Sequence, residues 1–249
     1  MFSEVMPRLA PTRTCIAPDY PGFGNSDPLP EGLSFPDLAE ILFEVLEALD
    51  FETASIFGLH TGNKLGAAMA ARSPELVDRF VLCGAPHSII PDDARRNDVI
   101  RRRVSETIRT YSGESGESRL VKQWGDLFRR VANLWWDPTV IGDRHLSQSH
   151  IDRLATDVIE TLQMRNSLYQ IYSANFDYAW SEDLDNVAVP TLILELAHPE
   201  EVEAYGLQGD QLRDLISASE WLVVEDADVG TFYESPTRIA EPVRNFLDG

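Results

Sequence analysis

The chain is poor in basic residues and in cysteine, and it has no long apolar run. Against 41 Asp and Glu it carries 21 Lys and Arg, a net charge of −20. Nucleic acid and anionic membrane surfaces both require a basic face, so neither is expected as a partner. The two cysteines, Cys15 and Cys83, lie in apolar strand-like runs. They read as buried structural thiols of a reducing, cytoplasmic setting rather than as a disulfide framework. No Cys/His spacing fits a zinc motif, so neither metal nor cofactor is expected. No stretch approaches the ~18 apolar residues of a membrane span, and residues 1–7 lack the basic and apolar regions of a signal peptide. What remains is a chain of 249 residues, 43% hydrophobic and 25% charged. That is enough for one large α/β domain with an insertion, or for two small domains.

Short apolar runs alternate with helical periodicity, the pattern of a parallel sheet covered by helices. Thr14–Ala17 predicts a strand, and Pro18–Asp27 a turn-rich loop. Ser34 predicts a helix cap, with Pro36 in the first turn and Asp37 as the capping-box acid. Leu38, Ile41, Leu42, Val45, Leu46 and Leu49 predict one buried stripe on that helix. Ala54–Phe57 predicts a strand buried on both faces. Lys64–Arg72 predicts a helix whose Gly66, Ala67, Ala68, Ala70 and Ala71 let it lie close on the sheet. Arg79–Cys83 is a further strand. From residue 87 to 183 no strand pattern occurs. Ala94–Tyr111, Arg119–Trp136 and Ser149–Tyr172 predict amphipathic helices, with a Ser/Gly/Glu break at Ser112–Ser118. Strand rhythm returns at Thr191–Leu194 and Trp221–Val224, and a last helix spans Pro236–Leu247 with Pro242 inside it. The expected division is a core of residues 1–86 and 184–249 with an all-helical insertion at 87–183.

Residues 58–62 read Gly58-Leu59-His60-Thr61-Gly62. They have the frame of a G-x-S-x-G nucleophile elbow, a tight strand-to-helix turn, with His60 where Ser belongs. The other matching segments, in order, are Ala17–Asp27, Ser73–Leu82, Val189–Leu194 and Glu234-Ser235-Pro236. With them the chain resembles the α/β-hydrolase superfamily, with a helical cap of the kind seen in epoxide hydrolases and haloalkane dehalogenases. The resemblance implies a mostly parallel sheet flanked by helices, with the cap inserted after the strand ending near Cys83. It also implies that the strand at Ala17 is the fourth, and that the third ends in a His-Gly loop giving an oxyanion N–H. By that analogy the chain starts roughly 30 residues late, and Met1 is an internal methionine of a longer product. An in-frame stop directly upstream would end that expectation.

Acyl transfer needs a nucleophile, a base, an orienting acid and oxyanion donors. The family's base position falls seven residues before Pro236, at Val229, which accepts no proton, and no histidine follows His198. The acid belongs after the Thr191–Leu194 strand, where Glu195, Glu200 and Glu201 are the candidates. Thr61 occupies the position that supplies an oxyanion N–H. His60, His87 and His198 each fall just past a strand end, at the carboxyl edge where open α/β sheets bind ligands. Three imidazoles could line one pocket or, with Glu195, hold a metal, although no spacing specifies one. His145 and His150 lie in the insertion and read as surface groups. The insertion is rich in aromatics: Trp124, Phe128, Trp135, Trp136, Tyr169, Tyr172, Phe176, Tyr178 and Trp180. They divide between its own core and an apolar pocket wall, with Trp135 and Trp136 as binding candidates. The expected ligand is a small apolar molecule. Two functions follow: a hydrolase-like enzyme on a carbonyl or ester substrate with a triad that is not intact, or a non-catalytic ligand-binding or interaction protein on the same scaffold.

Overall fold

The computed structural model of the chain describes residues 2–84 and 166–249, with a few single positions between them. The expected helices at 94–111 and 119–136, and most of that at 149–172, lie outside the described residues. By contact the chain divides into two units, one of residues 1–18, 34–89 and 178–249, the other of 19–33 and 90–177.

In the first unit a 3-10 turn at Phe2–Glu4 precedes α1 (Met6–Leu9). α2 (Phe35–Ala48) begins with the predicted capping box. The Asp37 N–H donates to Ser34 Oγ (3.3 Å), and the Asp37 carboxylate accepts from the Ser34 N–H (2.8 Å) and hydroxyl (2.6 Å). β1 (Ala54–Leu59), α3 (Thr61–Arg72) and β2 (Val77–Cys83) follow. In the second unit α4 (Asn166–Asp177) carries a buried Tyr172 stacked on Phe176 at 6.1 Å. In the same unit the loop at 19–33 folds on itself: the Gly22 N–H donates to the Asp27 carbonyl (2.6 Å), and the Ser26 hydroxyl to the Asp19 carbonyl (2.7 Å). The first unit resumes with α5 (Trp180–Leu184), β3 (Thr191–Ala197), α6 (Pro199–Tyr205) and α7 (Gly209–Leu215). β4 (Ser219–Glu225), α8 (Thr231–Glu234) and α9 (Thr237–Asp248) complete it.

The four strands among the described residues form one parallel sheet in the order β1-β2-β3-β4. Side chains alternate between its faces. On one face Leu59, Val81, Cys83, Leu192, Leu194, Leu196 and Val224 join Val5, Leu9, Phe232, Ile239, Ala240 and Val243 in a single apolar cluster. The small-residue prediction for α3 has a direct basis: a Cβ at Gly66 would fall 2.3 Å from Phe80 Cε2.

Three expectations are corrected. Thr14–Ala17 is not a strand. A strand exists only by pairing, and this segment has no ladder partner among the described residues, leaving Ile16 42% exposed. The α2 stripe is only partly buried. Leu38 is covered, Ile41, Leu42, Val45 and Leu46 are half-buried, and Leu49 is 49% exposed. β1 is not buried on both faces, because Ser55 is exposed and Ile56 and Phe57 are half-buried. β1 is the end strand of the described sheet, so its first residues and the C-terminal turns of α2 lack a neighbour that central elements have.

The Ser34 hydroxyl, and then the Ser34 N–H, hold the Asp37 carboxyl below its ordinary value. A depressed folded-state value means that the cap stabilises the fold above the ordinary carboxylate range and ceases to as pH falls through the depressed value. Ser34→Ala is therefore expected to lower the urea midpoint at neutral pH. The deficit should shrink as pH drops below about 4, as followed by denaturation at a series of pH values.

Candidate functional site

β1 ends at Leu59 and the chain turns within one residue. His60 has φ 50° and ψ −110°, a conformation L side chains rarely adopt. The turn is tight enough to dictate its neighbours. A Cβ at Gly58 would fall 2.6 Å from the Gly62 carbonyl oxygen and 2.8 Å from Asn63 Cα. α3 starts at once, with His60 as its N-cap residue and Thr61 first in the helix, and the Asn63 N–H donates to the His60 carbonyl at 3.0 Å. The elbow predicted from residues 58–62 thus forms with a histidine at its tip, where the first amides of α3 gather.

The imidazole rests against the end of β2. Gly84 has φ 61°, and a Cβ there would lie 3.0 Å from His60 Cδ2 and 3.1 Å from Nε2. The His60 N–H donates to the Cys83 carbonyl at 3.4 Å, and the Gly84 N–H to the Leu194 carbonyl at 2.9 Å. The Asn63 side chain, 0% exposed, bonds the same segment. Its Nδ2 donates to the carbonyls of Cys83 (2.7 Å) and Gly84 (3.1 Å), and its Oδ1 accepts from the Cys83 N–H (3.0 Å). Burial pushes the Cys83 thiol far up, so it stays protonated and is no nucleophile.

The other predicted residues are more dispersed. Glu195 lies within β3 and is 4% exposed. Its Oε1 accepts from the Gln208 N–H (2.5 Å), and its Oε2 from the Gly209 N–H (3.0 Å) and Trp221 Nε1–H (2.9 Å). The carboxylate thus holds the start of α7 and the indole of β4, which accounts for its burial. Glu200 is exposed in the first turn of α6, and Glu201 follows it. His198 precedes α6 as its N-cap residue, and its carbonyl accepts from the Val202 N–H at 2.9 Å. β2 separates β1 from β3, and the register that aligns Leu59 with Cys83 and Cys83 with Leu194 sets His198 three residues beyond the level of His60, so their roots lie farther apart than the ~10 Å of two strand spacings. His87, Trp135, Trp136, His145 and His150 lie outside the described residues. Among the described residues no three His, Cys, Asp or Glu side chains gather into a metal-holding group, and no helix is long and apolar enough to cross a membrane. Val229 sits in the turn after β4, where the neighbouring Asp228 carboxylate accepts from the Gly230 N–H at 2.7 Å.

Asn63, Gly84 and Lys64 were not singled out by sequence reasoning. The available signal was two polar residues, Asn63 and Lys64, opening an otherwise small and apolar helix. Lys64 is 3% exposed, with Nζ 5.8 Å from the Trp180 ring centroid. Farther along α3, Arg72 pairs with Asp183 at 3.1 Å, and Asp183 also accepts from the Tyr178 hydroxyl. Burial and that bond push the Tyr178 phenol up. If Glu195 serves α7 and β4, Glu195→Gln turns a donor group toward donors. It is expected to cost roughly 1–3 kcal/mol, read as a lower urea midpoint.

The fold is shared with proteins of known structure. The alpha/beta hydrolase fold family matches residues 1–135. A 2-hydroxymuconate semialdehyde hydrolase of Pseudomonas sp. (strain CF600) is 40% identical over 82 residues, 32% of this chain and 29% of that protein. A 2-hydroxy-6-oxo-2,4-heptadienoate hydrolase of Pseudomonas putida F1 is 37% identical over 86 residues, 34% of this chain and 31% of that protein. The matched stretch thus spans under a third of either relative. Among solved structures, the epoxide hydrolase CorEH superposes with a TM-score of 0.69 at 15% identity, covering 99% of this chain and 86% of that one. An enol-lactonase from Burkholderia xenovorans LB400 gives 0.65 at 18% identity, covering 93% and 79%. At such identities the likeness speaks to the fold alone. With a family match over more than half of its residues, the chain belongs to the α/β-hydrolase family.

Proposed function

We propose that this chain acts on a small apolar carbonyl or ester compound, with His60 as the acid–base group facing the ligand and the Thr61 N–H as a donor to its carbonyl oxygen. One observation carries the reading: His60 keeps a backbone conformation (φ 50°, ψ −110°) that costs of order 1–3 kcal/mol. Such strain is retained where a side chain must be presented, and here it presents an imidazole at the carboxyl edge of a parallel sheet. Imidazole is the usual general base near neutral pH. In the proposed step His60 takes a proton from water as the water oxygen bonds to the carbonyl carbon. The Thr61 N–H stabilises the resulting oxyanion, and the imidazolium returns the proton to the leaving group as the carbon–leaving-group bond breaks. The compounds named for the two Pseudomonas relatives bear aldehyde or oxo groups, which is consistent with a carbonyl ligand.

Two observations favour a second reading, a ligand-binding protein without turnover. By the resemblance Val229 falls at the family's base position, and the buried Glu195 carboxylate is engaged by three structural donors. Hydrolysis of p-nitrophenyl acetate separates the two. The first reading expects a rate above buffer background that His60→Ala lowers by roughly 10²-fold or more. Equal rates for the two proteins would remove it. Ligand-dependent thermal stabilisation without turnover would support the binder.

A further inference from the structure

The abrupt turn at His60 creates a problem for the strand beside β1. Leu59↔Cys83 is the last pair of the β1–β2 ladder. Beyond it β1 has left the sheet, yet Cys83 and Gly84 are buried. A buried peptide N–H or C=O without a partner costs roughly 1–3 kcal/mol. The Asn63 carboxamide meets this need as a peptide group in miniature, taking the Cys83 N–H on Oδ1 and giving Nδ2 protons to the Cys83 and Gly84 carbonyls. Only Asn has the chemistry at this length. Asp would set a carboxylate against two carbonyl oxygens, Leu would withdraw a bond from each of the three groups and leave the Cys83 carbonyl only the longer one from the His60 N–H, and Gln is one methylene too long.

The same carboxamide bears on His60. The Cys83 carbonyl that accepts Nδ2 also accepts the His60 N–H, and Asn63 donates its own N–H to the His60 carbonyl. The tip of the elbow, the start of α3 and the end of β2 are thereby tied at one point. The ring rests against Gly84, one of the two residues that Asn63 clamps. We propose that Asn63 is a positioning residue: its side chain sets where the His60 imidazole lies over Gly84, and so where the ligand-facing group of the site stands. The inference rests on His60 being that group.

The test is histidine-ring NMR on the full chain, with the His60 signals assigned by their loss in His60→Gln. The wild type is expected to show a cross-peak between the His60 Hδ2 and the Gly84 Hα protons. In Asn63→Leu that cross-peak should vanish and the His60 titration midpoint should move by about half a pH unit or more. Ser34→Ala, which weakens a distant helix cap, should leave both unchanged. Should Asn63→Leu fail to fold, Asn63→Ser carries the same expectation, since its short hydroxyl cannot span the three groups. A folded Asn63 variant with the cross-peak and midpoint of the wild type would overturn the proposal, whatever its loss of stability. The ring signals do not depend on ester turnover, so this proposal and the functional reading fail separately.

Discussion

A parallel strand that becomes a helix within one residue must do two things at once. It must strain its own backbone at the turn, and it must leave the neighbouring strand's peptide groups to some other partner. Both consequences meet at residues 58–63 and 83–84. Gly58 exists because the returning helix occupies the space of a side chain, and Gly84 has the same relation to the His60 ring. Asn63 replaces the strand that has left. α3 can follow the turn closely because Gly66 admits the Phe80 ring. The placement of the histidine therefore draws on backbone hydrogen bonding and small-residue packing.

The sheet uses its buried polar groups in the same economical way. Glu195 is a carboxyl group within a buried strand, an expensive arrangement unless several donors surround it. Two helix-start amides and an indole do so, and Gly209 is a glycine because the Trp221 ring lies where its Cβ would be, 2.0 Å away. The carboxylate therefore ties β3, β4 and the start of α7 together. On α3, Lys64 and Arg72 approach Trp180 and Asp183, so two basic side chains brace that helix against α5. A cluster of charge on such a scaffold is as readily architectural as chemical, and donor geometry tells the two apart.

Residues with a strictly local signature were legible. The Ser34–Asp37 capping box formed as its spacing predicts, because the bonds close within four residues. The elbow formed from its glycine frame, and the runs at Thr191–Leu194 and Trp221–Val224 became β3 and β4 with slightly wider bounds. Residues whose fate depends on distant partners were not legible. Thr14–Ala17 has strand composition and no strand beside it among the described residues, and Leu49 continues a helical stripe past the point where anything covers it. The donors that reach Glu195 were not legible either, because position along the chain cannot reveal which groups approach from residues 208, 209 and 221.

The sequence alone determined the parallel α/β architecture, the Ser34–Asp37 cap and the histidine at the strand-to-helix turn, since each is written in short-range periodicity, in local side-chain spacing or in glycine placement. Only the tertiary structure decided which polar residues are free for chemistry. Asn63 and Glu195 are both committed to backbone groups, on residues 83 and 84 in one case and 208 and 209 in the other. Burial makes each of those groups demand a partner, and which partner comes within reach is settled by packing across the sheet rather than by neighbours along the chain.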